Sequence, residues 1–206
     1  MRNRTQLSNG IAPALAFAVV LNGLIVIGEA LAGIHANSLA LAADALHNCS
    51  DELALVLLYL SYSRSRAGSA RLNAIANGLN SFGILTIAVA LVFLALSRLG
   101  EPPEVVGSTT MIAGFAAALG NLGVAALLRQ GATASIELRL AYLHNLGDVA
   151  LCLSTAVSGF LIVIFGANWL DCIFAVIVAL MLTTATAREL MTSTTPIRRG
   201  ARATSL

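Results

Sequence analysis

Two six-residue stretches, Leu46-His47-Asn48-Cys49-Ser50-Asp51 and Leu143-His144-Asn145-Leu146-Gly147-Asp148, carry one pattern 97 positions apart: a histidine followed four residues later by an aspartate, inside long apolar runs. If those runs are helices, each pair lies on a single helical face. Two neutral imidazoles and two carboxylates suit tetrahedral N/O coordination, and two negative charges balance a divalent cation. Zn2+ is the first candidate. Mg2+ and Ca2+ want six or more oxygens and are disfavoured by imidazole, whereas Cd2+, Co2+, Ni2+ and Fe2+ stay open because donor type separates them weakly. A lone His–Asp pair could equally be a local hydrogen bond steadying its own helix. The duplication is what argues for one shared ion held by His47, Asp51, His144 and Asp148.

Ionisable groups at membrane depth are costly and call for a partner or a cavity. Asp44 precedes His47 by three residues and shares its stripe, and Glu29 stands in the preceding apolar run. Both are candidates for supporting the ligands or lining the ion's path. Glu52, next to Asp51, points off that face and reads as a packing or interfacial residue. His35 reads as an incidental turn residue. Cys49, Cys152 and Cys172 sit in apolar runs with no CxxC spacing, so they suggest neither disulfides nor a thiolate site and read as small core residues. Asn73, Asn77 and Asn80 form a polar stripe, and Asn22 and Asn121 interrupt other runs; interhelical hydrogen bonding is the expected use of all five. Gly114, Gly120 and Gly123 would allow close helix contact.

The elements that must position these residues are membrane helices. The 206 residues are 58% apolar and only 11% charged, a composition that a water-soluble domain of this size could hardly hide. Apolar segments at about 11–34, 39–61, 72–97, 105–128, 138–165 and 169–190 each approach or exceed the ~20 residues needed to span a bilayer. The expected fold is therefore all-α, with six transmembrane helices over residues 1–194. Thr195–Leu206 is expected to form a short, polar, basic tail, disordered or lying on the membrane surface. Every basic side chain apart from histidine is Arg, and only Arg98 falls on the side opposite the other eleven, which places both termini in the cytoplasm by the positive-inside rule. The exposed turn carrying Glu101 and Glu104 reads as an ordinary solvated loop. The net charge of +2 is too small to suggest a nucleic-acid partner, and nothing calls for a prosthetic group.

Glu29 and Gly33, the run Ser38-Leu39-Ala40-Leu41-Ala42-Ala43-Asp44-Ala45-Leu46-His47 with Asp51, and Leu138-Arg139-Leu140-Ala141-Tyr142-Leu143-His144 with Gly147-Asp148 resemble the cation diffusion facilitators. Asn80, Pro102-Pro103-Glu104, Asn121 and Trp169-Leu170-Asp171 add to the resemblance, which covers nearly the whole chain. It implies export of zinc and related divalent metals in exchange for protons, a transport site on His47, Asp51, His144 and Asp148, and pairing into a homodimer in a lipid bilayer. Such a protein would sit in a bacterial inner membrane as a multi-pass protein. The His-Asp/His-Asp set is the one typical of zinc-carrying members. Three departures stand out. The metallochaperone-like cytoplasmic domain usual after the sixth span is expected to be missing, which would remove regulation and pairing through it. Asn73 stands where an acidic residue is common, and Cys172 where a proline often follows the sixth-span Asp. A histidine-rich insert between the fourth and fifth spans is also missing.

The reading is a secondary transporter, not an enzyme. An intramembrane metal-dependent hydrolase would need an open metal position and a general base, as in HExxH, but four protein ligands would close the shell. A metal-binding subunit without transport would bind but not carry.

Overall fold

A computed structural model of the chain describes residues 2–63, 70–133 and 136–203, with side chains described for 11–60, 82–83, 85–133, 138–184 and 186–187. These residues form six α-helices and no strand: α1 Arg2–Ala36, α2 Leu39–Ser63, α3 Ala70–Leu99, α4 Gly107–Leu128, α5 Ile136–Phe165 and α6 Trp169–Ala203. A single 3-10 turn, Gly131–Thr133, precedes α5. Ile11–Ala36, Gly107–Leu128 and Leu138–Phe165 are long and apolar enough to cross a membrane on that count alone. The 22 residues of α4 rise about 33 Å at about 1.5 Å each, the thickness of a hydrocarbon core. Leu85–Leu99 and Trp169–Thr184 are shorter apolar stretches within α3 and α6. In α2 the apolar run is broken by Asp44, Asp51 and Glu52.

The helix ends show why the chain turns where it does. Asn37 adopts a left-handed φ of 53° after α1, a conformation that Asn tolerates better than most residues. Its N–H reaches the Ile34 carbonyl and the Ser38 N–H reaches that of Gly33, the paired bonds of a Schellman stop. Ser38 then caps α2, its Oγ accepting the Leu41 N–H at 3.1 Å. The reversal thus takes two residues. Close to it, a side chain at Gly33 would press on the Ala42 backbone nitrogen at 3.2 Å, so glycine lets α1 and α2 meet. Gly166, at φ 63°, ends α5 by returning its N–H to Ile162.

Helices α1, α2, α4 and α5 share one core, with Leu15, Leu55, Val124, Leu128 and Leu138 buried in it. Helices α3 and α6 pack as a second pair, through Leu91, Val178 and Leu182. Helix α2 belongs to both, contributing Leu55 to the first group and Leu39, Ala40 and Ala43 to the second. Between membrane helices, lipid is as apolar as leucine, so close fit has to do what water exclusion does elsewhere. The α4–α5 crossing supplies it: a Cβ at Gly114 would lie 2.7 Å from the Ala156 nitrogen and 2.9 Å from the Cys152 carbonyl.

Several expectations shift. α1 begins at Arg2 and α6 runs to Ala203, so the helical backbone continues through Thr195–Ala203, the stretch expected to be disordered or to lie on the membrane surface; once a helix is nucleated, each further residue adds a hydrogen bond at little cost. Thr204–Leu206 lie outside the described residues. Cys152 and Cys172 are buried, but Cys49 is exposed, because it follows Asn48 around the helix away from the buried face. Arg64 and Arg66, and the side chains of Asn73, Asn77, Gly78 and Asn80, are likewise outside the description.

Candidate metal site

Helices α2 and α5 run antiparallel, and their contact brings the two His/Asp faces together. The pairing that results crosses between the helices. His47 Nε2 lies 3.0 Å from Asp148 Oδ1, and His144 Nε2 lies 2.7 Å from Asp51 Oδ1. The pairs within each helix are looser, 3.5 Å for His47–Asp51 and 3.9 Å for His144–Asp148. One donor atom from each of the four residues falls within 4.8 Å of the others. Tetrahedral ligands at about 2.0–2.1 Å from a metal sit about 3.3–3.4 Å apart, inside the range of these separations. The imidazole rings meet edge to face, their centroids 5.6 Å apart.

Two features separate this cluster from an ordinary internal salt bridge. Asp51 Oδ2 and Asp148 Oδ2 are buried and have no hydrogen-bond partner among the described residues. Leaving buried polar atoms unpaired costs about 1–3 kcal/mol each, a cost that a ligand atom recovers on binding its ion. Accessibility is also graded. Side-chain exposure falls from 45% at His144 through 12% at Asp51 to 5% at His47 and 4% at Asp148. The cluster is therefore reached from the side of His144, near the start of α5 and the second half of α2.

The opposite end of the bundle is tied shut. Asp171 of α6 is buried at the start of α2, where its carboxylate accepts Ser38 Oγ at 2.5 Å, Leu39 N–H at 2.6 Å and Ala40 N–H at 3.3 Å. Val106 N–H donates to the Ala36 carbonyl and Val105 N–H to Asn168 Oδ1, joining the three turns at that end. Arg98 adds a bond to Asn37 Oδ1 at 3.1 Å.

Asp44 and Glu29 are buried one step deeper. Asn48 Nδ2 donates to Glu29 Oε2 at 2.6 Å, and both carboxylates gather with the Cys152 thiol. Neither Asp44 oxygen has a hydrogen-bond partner. Reading Cys152 as core filler missed this grouping. The signal was its position four residues beyond Asp148, on the face of α5 that bears the ligand. Glu52 takes the packing role expected of it, accepting Asn22 Nδ2 at 3.1 Å across α1 and α2. Asn22 also bonds the Asn48 carbonyl, and Asn121 Nδ2 donates to Cys152 Sγ, so both asparagines join helices as expected. His35, Glu101 and Glu104 are exposed.

Residues 15–196 match the model of the cation efflux transmembrane domain. The zinc transporter ZitB of Yersinia pestis is 30% identical over 187 residues, 86% of this chain and 59% of that protein. ZitB of Escherichia coli strain K12 is 29% identical over 195 residues, 90% of this chain and 62% of that protein. The cadmium, cobalt and zinc/H(+)-K(+) antiporter of Bacillus subtilis strain 168 is 27% identical over 173 residues, 79% of this chain and 55% of that protein. The chain thus spans between half and two thirds of the length of these curated relatives. With the family model covering most of its length and the resemblance read from its motifs borne out, the chain belongs to the cation efflux, or cation diffusion facilitator, family of membrane transporters.

Proposed function

We propose that this chain carries Zn2+ out of the cytoplasm in exchange for protons, loading the ion onto His47, Asp51, His144 and Asp148. The observation that carries the reading is the interhelical cluster itself: four donors from α2 and α5 within 4.8 Å, with a carboxylate oxygen of Asp51 and one of Asp148 unpartnered. Its N2O2 donor set favours zinc among divalent ions, with Cd2+ and Co2+ accepted less selectively. Relatives named for zinc, cadmium and cobalt transport support the same cargo. The arginine distribution puts the end from which His144 is reached on the cytoplasmic side of a bacterial inner membrane. A second copy of the chain is the proposed partner, with Gly78 and Gly83 of α3 at the contact; a Cβ at Gly83 would meet nothing within 4 Å.

Proton coupling follows from the ligands. Metal needs neutral imidazole and ionised carboxylate, so protons and metal compete for the cage. An ordinary histidine titrates near ~6.5, so zinc affinity should fall as pH drops through that region. At cytoplasmic pH an arriving ion displaces protons, and acid on the far side returns them and releases the metal. The test uses proteoliposomes containing a pH dye and given a zinc gradient without a pH gradient. Zinc entry should drive protons out, and His47→Ala/His144→Ala should abolish both movements. Zinc flux without counter-movement of protons would reject exchange while leaving the ligand set standing. An intramembrane hydrolase is disfavoured because all four donors can face one ion and none is placed as a general base.

A further inference from the structure

One helical turn beyond the cage, α1, α2 and α5 converge on a second group of donors: Glu29, Asp44 and Cys152, with a ligand atom of each within 4.8 Å of the others. The register is shared with the cage. Asp44 precedes His47 by three residues on α2 and Cys152 follows Asp148 by four on α5; since the helices are antiparallel, both steps lead towards the closed end. Glu29, Asp44 and Cys152 are 2%, 0% and 0% exposed.

Two carboxylates buried together in a membrane domain need compensation, and among the described residues no arginine pairs with either. His47, the basic group one turn along α2, has its Nε2 engaged by Asp148 at 3.0 Å. Asp44 is fully buried and neither oxygen makes a hydrogen bond of ordinary length, its looser polar neighbours being the Cys152 thiol, the Thr155 hydroxyl and Glu29. A single proton shared between Glu29 and Asp44 would engage only one of the Asp44 oxygens. A metal ion accepts several at once.

We infer that Glu29, Asp44 and Cys152 form a second cation site, taking a thiophilic divalent ion such as Cd2+ or Zn2+. The sulfur sets this preference, because thiolate binds soft ions far better than it binds Mg2+, Ca2+ or Mn2+. On binding, the Cys152 S–H bond breaks, its proton leaves to water and the sulfur's electron pair goes to the metal. Two carboxylates and a thiolate then carry one negative charge more than the ion. Asn48 Nδ2, at 2.6 Å from Glu29 Oε2, and Asn121 Nδ2, at 3.2 Å from Cys152 Sγ, donate to those anionic atoms and spread the excess. The same thiol separates this site from the cage, which holds no sulfur.

The test uses full-length protein in nanodiscs with Cys49→Ala and Cys172→Ala, so that Cys152 is the remaining thiol. Cd2+ is the probe, read by equilibrium dialysis and by the ultraviolet thiolate-to-cadmium charge-transfer band. In Asp51→Ala/Asp148→Ala, which disables the cage, the band should persist and one Cd2+ per chain should remain. In Asp44→Asn the band should vanish while the cage ion is retained. Cys152→Ser, nearly isosteric, should abolish the band and weaken the inner ion at least tenfold with the helical circular dichroism unchanged. A band that disappears with the cage variants, or Cd2+ binding that Asp44→Asn and Cys152→Ser leave unaltered, would overturn the second site. Retention of two ions in Asp51→Ala/Asp148→Ala would count against the cage and not against this site.

Discussion

Asp171 and the aspartates of the His/Asp cluster are all largely buried, and they are hydrogen-bonded in opposite ways. Asp171 holds the start of α2 with both oxygens occupied, taking one hydroxyl and two backbone N–H groups at 2.5–3.3 Å. Asp51 and Asp148 each bond a histidine through one oxygen and leave the other without a hydrogen bond. A carboxylate whose lone pairs are filled by the chain is holding the fold, and one that keeps an oxygen back can take a ligand. The two regions should therefore respond to mutation in opposite ways.

The largest effect is expected from the cage. Asp51→Ala or Asp148→Ala removes a donor and half of the balancing charge, so zinc flux in proteoliposomes should fall to background and affinity by more than about 100-fold, with inserted protein at wild-type levels. Near-normal flux in either variant would remove the distinction from Asp171. Replacing Asp171 by Ala should do the reverse. It leaves the Leu39 and Ala40 N–H groups buried and unpaired, a loss of about 2–4 kcal/mol read as an earlier unfolding midpoint in detergent, while zinc affinity of the folded fraction changes less than about threefold. A midpoint that does not move would mean that Asp171 is not the tie that the geometry describes.

Smaller changes sharpen the contrast. His47→Asp keeps a donor but exchanges nitrogen for oxygen, so binding should survive with selectivity shifted about tenfold towards Cd2+ or Mn2+. An unchanged selectivity order would move the source of preference away from His47. At the tied end, Arg98→Ala deletes an exposed hydrogen bond to Asn37 and should cost no more than about 1 kcal/mol, with flux unaltered.

Much of this organisation was legible in the chain. The i, i+4 spacing of His47/Asp51 and His144/Asp148, with its repetition inside apolar runs, identified the cluster before any fold was known, because helical periodicity alone puts each pair on one face. The partners across the cluster were not legible: that His47 meets Asp148 and His144 meets Asp51 depends on how α2 and α5 dock. Cys152 illustrates the same limit. Its type suggests a core position, and only the convergence of α1, α2 and α5 places it against Glu29 and Asp44. Asp171 was visible as a motif residue, but its capping of α2 across more than half of the sequence is a tertiary contact with no local signature. The extension of α6 to Ala203 was hidden by a polar composition that an established helix tolerates.

The most direct measurement is zinc K-edge X-ray absorption on full-length protein loaded with one equivalent of Zn2+. A cage built from His47, Asp51, His144 and Asp148 should give a four-coordinate shell of nitrogen and oxygen at about 2.0–2.1 Å, with imidazole scattering that is lost in His47→Ala/His144→Ala. A six-oxygen shell without imidazole, or sulfur in the shell of this first equivalent, would contradict the assignment of the cage as the primary metal site.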